Sequence, residues 1–135
     1  MKIRVISSRD EIESLSPDER VVHCAFRPNY LDIYNILEKC PEIKIIQMPR
    51  SHYYTIAHTV QLFLKSKNVE LIEGDVQGHR KDVSNYYPIP SSVIEKIKEM
   101  KAYGEMDYKI EETVKRMCYN LKPRLISYLI REIEA

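Results

Sequence analysis

Four short apolar runs, each followed by a polar turn and a segment of helical spacing, constrain this chain more than any other feature. They begin near residues 2, 21, 43 and 69, and a gap of roughly twenty residues between starts holds a crossover, not a hairpin. Parallel strands with right-handed connections are therefore expected. Lys2–Ile6 alternates as a half-buried strand, and Ser7–Glu11 supplies capping residues and early acids for a short helix that ends before Pro17. Val21–Phe26 is a second strand, Arg27-Pro28-Asn29 a turn and cap, and Tyr30–Lys39 a helix with Leu31, Tyr34 and Leu37 on one side. Ile43–Met48, the turn Pro49–His52 and a helix Tyr53–Lys67 repeat the design, with Ile56, Ala57, Val60, Phe63 and Leu64 at helical spacing. Val69–Ile72 is the fourth strand.

After Tyr86-Tyr87-Pro88-Ile89-Pro90 the pattern turns purely helical, and this proline-bracketed segment marks the expected boundary between residues 1–88 and 89–135. Ser92 and Glu95 form a capping box for a helix through Ile94, Ile97 and Met100, with Gly104 at its C-terminal cap. Asp107 is expected to cap a second helix through Ile110 and Val114. Pro123 opens a third, carrying Leu125, Leu129, Ile130 and Ile133. The expected fold class is α/β: about four parallel strands alternating with helices, in a repeat-like or a flavodoxin-like layer, followed by a small three-helix C-terminal subdomain.

Composition narrows the class. No apolar run approaches the roughly 18 residues of a membrane span, and the N-terminus does not read as a signal peptide. Cys24, Cys40 and Cys118 are odd in number and far apart, without metal or redox spacing, so a reduced cytoplasmic location is expected. A net charge of +1 argues against a protein that coats nucleic acid non-specifically.

Two of the three glycines fall in Glu73–Asp82, around Asp75 and beside His79 and Arg80. In a parallel sheet this stretch shares one edge with the other strand ends: Arg9 after the first strand, Arg27 after the second, Arg50 and His52 after the third. Ligands of open α/β sheets bind at that edge, where helix N-termini and guanidinium groups favour anions. Arg9, Arg27, Arg50, His52, Asp75, His79 and Arg80 are thus the candidate anion-binding residues. No nucleophile motif, P-loop or dinucleotide fingerprint accompanies them. No catalytic residue, metal ligand or cofactor is assigned, and the reading leans away from an enzyme. His23, inside an apolar strand, reads as a satisfied core histidine.

The tail carries a second signal. Between Glu112 and Glu132 there is no acid, while Lys115, Arg116, Lys122, Arg124 and Arg131 are all positive. Ile110–Val114 followed by Leu121–Arg131 is similar to the second and third helices of resolvase-type and bacterial-regulator helix-turn-helix modules. That resemblance implies DNA contacts by Lys122, Arg124, Ser127 and Tyr128, with the flanking cations on phosphates. Glu111 replaces the usual small residue, and the longer span to Leu121 implies an extended second helix or a looser turn.

Leu37–Pro49 resembles the cysteine-containing turn of a leucine-rich repeat, so a repeat-like layer stands beside a flavodoxin-like sheet as an alternative. Met1–Ser7, Glu19–Pro28 and above all Leu71–Arg80 resemble a family of uncharacterised proteins from methane-producing archaea, known as domain of unknown function 1699. The resemblance implies an archaeal cytoplasmic protein and no activity. Three functions follow as expectations: a DNA-associated transcriptional regulator with an anion-sensing α/β domain, a binding protein or enzyme for a phosphorylated or carboxylated small molecule, or a non-catalytic interaction scaffold. The expected partners are DNA and an anionic small molecule, with no membrane; a homodimer suits the first.

Overall fold

The apolar runs form strands β1 (Lys2–Ile6), β2 (Val21–Cys24), β3 (Ile45–Met48) and β4 (Glu70–Glu73), and a fifth, β5 (Tyr86–Pro88), joins them. The computed structural model describes residues 1–76, 79–80 and 84–134. The sheet order is β4-β3-β2-β1-β5. The β1/β2, β2/β3 and β3/β4 pairs are parallel, as the long connections require. β5, read from sequence only as a boundary segment, lies beside β1, where the Val5 N–H donates to the Asn85 carbonyl at 2.8 Å.

From β1 to β4 the chain steps in one direction across the sheet. Right-handed crossovers that never reverse put their helices on one face. The 3-10 helix Arg9–Ser14, α1 (Tyr30–Lys39) and α3 (His58–Ser66) do share one core: Ile12, Ile33, Ile36, Val60 and Leu64 meet Ile6, Val22, Cys24, Ile46 and Met48. A flavodoxin-like sheet would have changed direction within these strands.

Local chemistry revises several expectations. Tyr53–Lys67 is not one helix: α2 (Arg50–Tyr53) ends where Thr55 Oγ1 donates to the Ser51 carbonyl at 2.8 Å, and Ala57 is extended before α3 begins. On α1 the buried stripe is Ile33 and Ile36, whereas Leu31 and Tyr34 are exposed. β1 is not half-buried, because Arg4 is drawn inside with Glu19.

The chain divides into two compact units, Met1–Tyr87 and Pro88–Ala135. The second holds α4 (Ser91–Ala102), α5 (Asp107–Met117) and α6 (Pro123–Glu132). The expected capping box is absent: Pro90 and Met106 stand at the N-cap positions of α4 and α5. Gly104 closes α4 at φ 74°, with its own N–H on the Lys101 carbonyl and that of Glu105 on Met100, the double bond of a Schellman motif. Lys101 then closes α6, donating to the carbonyls of Ile130 and Ile133. That places a cation at a helix C-terminus and satisfies two otherwise unpaired acceptors.

Candidate functional site

The carboxyl edge of the sheet contains two zones of opposite character. At the ends of β1 and β2 the protein supplies its own anions. Glu11 Oε2 accepts the N–H groups of Ser7 and Ser8 at 2.6 and 2.9 Å. Asp32 closes the N-terminus of α1 in a reciprocal box: Asn29 Oδ1 accepts the Asp32 N–H at 2.8 Å, and Asp32 Oδ2 accepts that of Asn29 at 2.9 Å. Arg9 donates through Nε and Nη2 to both Asp32 oxygens at 2.7 and 2.8 Å. Burial alone would push the Asp32 carboxyl up, but the Arg9 hydrogen bonds, the Asn29 N–H and the Arg9 charge hold it below the ordinary value. Arg9, expected to hold a ligand, is thus committed within the chain, and the first long helix has no free N-terminus to offer.

At the ends of β2, β3 and β4 the balance reverses. His23 on β2 pairs in register with Gln47 on β3, and Gln47 with Ile72 on β4, so the three share a face. His23 is 2% exposed and Gln47 fully buried. Yet His23 Nδ1 and both carboxamide atoms of Gln47 have no hydrogen-bond partner among the described residues. The same holds for His52 Nδ1 and His79 Nε2 on half-buried side chains. Leaving such a group buried and unpaired costs about 1–3 kcal/mol, so a gathering of them is costly in an unliganded chain.

These side chains act on one another. Burial drives the His23 imidazole down to about 4; the hydrogen-bonding approach of the Gln47 side chain and the Asp75 carboxylate oppose this, and His79 and His52 reinforce it. His23 is therefore neutral near pH 7, able to give or take one hydrogen bond but not to supply a cation. Gly74 backs the arrangement: its N–H bonds the Met48 carbonyl at 3.0 Å, and a Cβ at this position would overlap the Gln47 carboxamide. A side chain at this position would displace the Gln47 carboxamide.

Of the other expected residues, Asp75 and Arg80 are exposed near β4. Arg27 is exposed on the loop after β2. Arg50 is the exposed first residue of α2, with its guanidinium 5.4 Å above the Tyr54 ring. The His79 ring lies 6.1 Å from that of Tyr87. In the second unit Lys115, Arg116, Lys122, Arg124 and Arg131 are exposed and Ser127 is half-buried. Tyr128 is a correction: at 1% exposure it belongs to the core, because the apolar side of α6 is wide enough to include it with Leu125 and Leu129. Gln47 and Gly74 were missed. The available signal was one polar residue inside the otherwise apolar run Ile45-Ile46-Gln47-Met48.

The two buried cysteines of the sheet unit are poor nucleophiles. Burial raises the Cys24 thiol to about 12 and the Cys40 thiol to about 11, so neither is a nucleophile near neutral pH. Among the described residues no group of three or more His, Cys, Asp or Glu side chains is placed to hold a metal ion. Nor is any helix among them long and apolar enough to cross a membrane.

The N-terminal domain of a family of unknown function, DUF1699, matches residues 2–85. The chain belongs to this family. The matched span contains β1–β4 and every member of the His23–Gln47 group, so the unpaired polar atoms lie within the family domain and the basic helices beyond it. No curated protein and no solved structure matches the chain.

Proposed function

We propose that the N-terminal unit is a binding domain for a small polar molecule, held at the carboxyl ends of β2, β3 and β4 by His23, Gln47, His52 and His79. The observation that carries this reading is the fully buried Gln47 carboxamide, which approaches His23 but completes no well-formed hydrogen bond among the described residues. A buried amide is retained at such a cost when something else completes its hydrogen bonds. The neutral His23 beside it supports recognition over acid–base catalysis, and no activated nucleophile accompanies the group among the described residues.

A thermal-shift screen with amides, heterocycles, sugars and carboxylates tests the reading, since a ligand that binds only the folded state raises Tm. At least one compound is expected to stabilise the protein, and Gln47→Met to remove the effect. Stabilisation that survives Gln47→Met rejects this site.

A second reading concerns the C-terminal unit. Its five cations are exposed, and Arg124, Ser127 and Arg131 follow helical spacing on α6, which favours a DNA-contacting face and a ligand-responsive regulator. Two copies on a two-fold site would suit such a role. Duplex binding should weaken steeply with salt, and Arg124→Ala should lower it. Affinity no tighter than millimolar at low salt would dismiss the regulator.

A further inference from the structure

We propose a second ligand site on the opposite edge of the same sheet: a solvent-open cup between α1 and α3 that takes a free amino acid with an apolar side chain. It does not rest on the ligand-binding reading above, which concerns the carboxyl ends of the strands. The cup encloses about 220 Å³. That exceeds the roughly 150 Å³ that takes a benzene ring and falls short of the about 300 Å³ at which pockets for drug-sized ligands begin. Its floor is Cys40, Ile43 and Val69, all buried, from the segments that lead into β3 and β4. Leu37 and Phe63 are half-buried walls, and Tyr34 is exposed at the mouth. Local spacing explains the shape. Tyr34, Leu37 and Glu38 fall at i, i+3 and i+4 on α1, beside the buried stripe of Ile33 and Ile36, and Phe63 and Lys67 are four apart at the end of α3.

The mouth carries one charge of each sign. Glu38, in the last turn of α1, and Lys67, just past the end of α3, both line the cup and are both exposed. Neither makes an ion pair among the described residues. Lys39, the neighbour of Glu38, pairs with Glu13 at 3.2 Å instead. The Lys67 ammonium lies 5.8 Å over the Phe63 ring, and the Tyr34 ring lies 6.4 Å from Phe63, so the cation is held at the aromatic wall. An apolar floor with this mouth selects among small molecules. A hydrocarbon would leave both charges unanswered. An acid without an amine would be attracted by Lys67 and repelled by Glu38, and an amine without an acid would meet the reverse. A zwitterion answers both: its carboxylate on Lys67, its ammonium on Glu38 and on the partly negative C-terminal end of α1, its side chain on the floor.

Calorimetry on the full chain with valine, leucine, isoleucine, methionine and phenylalanine tests the assignment, with glycine and the deaminated acid and decarboxylated amine of each as comparisons. At least one apolar amino acid should saturate the protein at millimolar concentration or below, and glycine should not. Its acid and amine analogues should each bind roughly fivefold more weakly, the upper end for an ion pair at an exposed rim. Lys67→Met should bring the amino acid down to the level of its amine, and Glu38→Gln down to the level of its acid; both positions are exposed, so the fold tolerates the changes. Gln47→Met should leave this binding in place. If no apolar amino acid saturates at millimolar concentration, if glycine or an acid analogue binds as tightly, or if binding is unchanged in both rim variants, the assignment is wrong. Binding lost in Gln47→Met but kept in both rim variants would move the amino acid to the carboxyl edge, which overturns the cup and supports the ligand-binding reading there.

Discussion

Arg4 on β1 and Gln47 on β3 are both polar side chains drawn into one sheet, and the fold treats them in opposite ways. Around Arg4 the terminal nitrogens are placed: Nη1 reaches Glu19 Oε2 at 3.1 Å and Nη2 donates to Ser14 Oγ at 2.8 Å, while the Tyr86 hydroxyl donates to Glu19 at 3.0 Å. That network ties β1, the 3-10 helix and β5 together through side chains. Around Gln47 no such closure exists among the described residues. The contrast teaches that burial of polarity in this protein has two purposes. One cluster closes on the chain at every terminal group, with Arg4 Nε alone lacking a partner, and ties its elements together; the other leaves both carboxamide atoms without a well-formed partner among the described residues.

The two clusters should therefore respond in opposite directions to the loss of their polar groups. The largest effect is expected for Glu19→Ala, which leaves the Arg4 charge buried without its partner and should cost about 3–5 kcal/mol in chemical denaturation. A loss under about 1 kcal/mol would show that the network is not structural.

The pH dependence comes next. His23 has a folded value near 4 against an ordinary 6.5, so between those values the unfolded chain binds more protons. Stability should fall as pH drops through that window, by up to about 3 kcal/mol at roughly 1.4 kcal/mol per unit. His23→Leu should flatten the slope there; an unchanged slope would remove His23 as its source.

Gln47→Met, which keeps volume and deletes the unpaired amide, should raise the stability of the unliganded protein by about 1–3 kcal/mol. A clear loss would mean that the carboxamide is satisfied in solution, and the contrast with Arg4 would collapse. The smallest effect is expected for Asn29→Ala, which removes the side-chain acceptor at the N-cap of α1 and should cost about 1 kcal/mol. The Asp32 carboxylate keeps the Asn29 backbone N–H in this variant, so its own contribution is separate. The Asp32 value is depressed in the folded state, so its stabilisation is present above its ordinary value and is lost as pH falls through the depressed one.

Much of the fold was legible because its signals are local. Period-two and helical spacing marked β1 to β4, α1 and the last three helices, and the length of the gaps required parallel strands. Pro123 and Gly104 marked a helix start and a helix end because one fixes φ and the other tolerates positive φ. β5 was missed since Tyr86-Tyr87-Pro88 is too short to show a period and joins the sheet through distant pairing. The arginine after each strand was a real regularity, but its use depended on partners far away in sequence. Asp32, 23 residues on, claims Arg9.

The sequence by itself determined a parallel α/β unit followed by helices, with polar chemistry at the strand ends, because hydrophobic period and turn residues act within a few positions. Tertiary structure alone decided which strand-end polar groups find partners within the chain. His23 sits beside Gln47 through strand register, and Gly74 admits the carboxamide through the close approach of β3 and β4. Arg9 and Arg4 find carboxylates across the fold. Hydrogen-bond satisfaction is a property of neighbours in space, and no pattern along the chain encodes it.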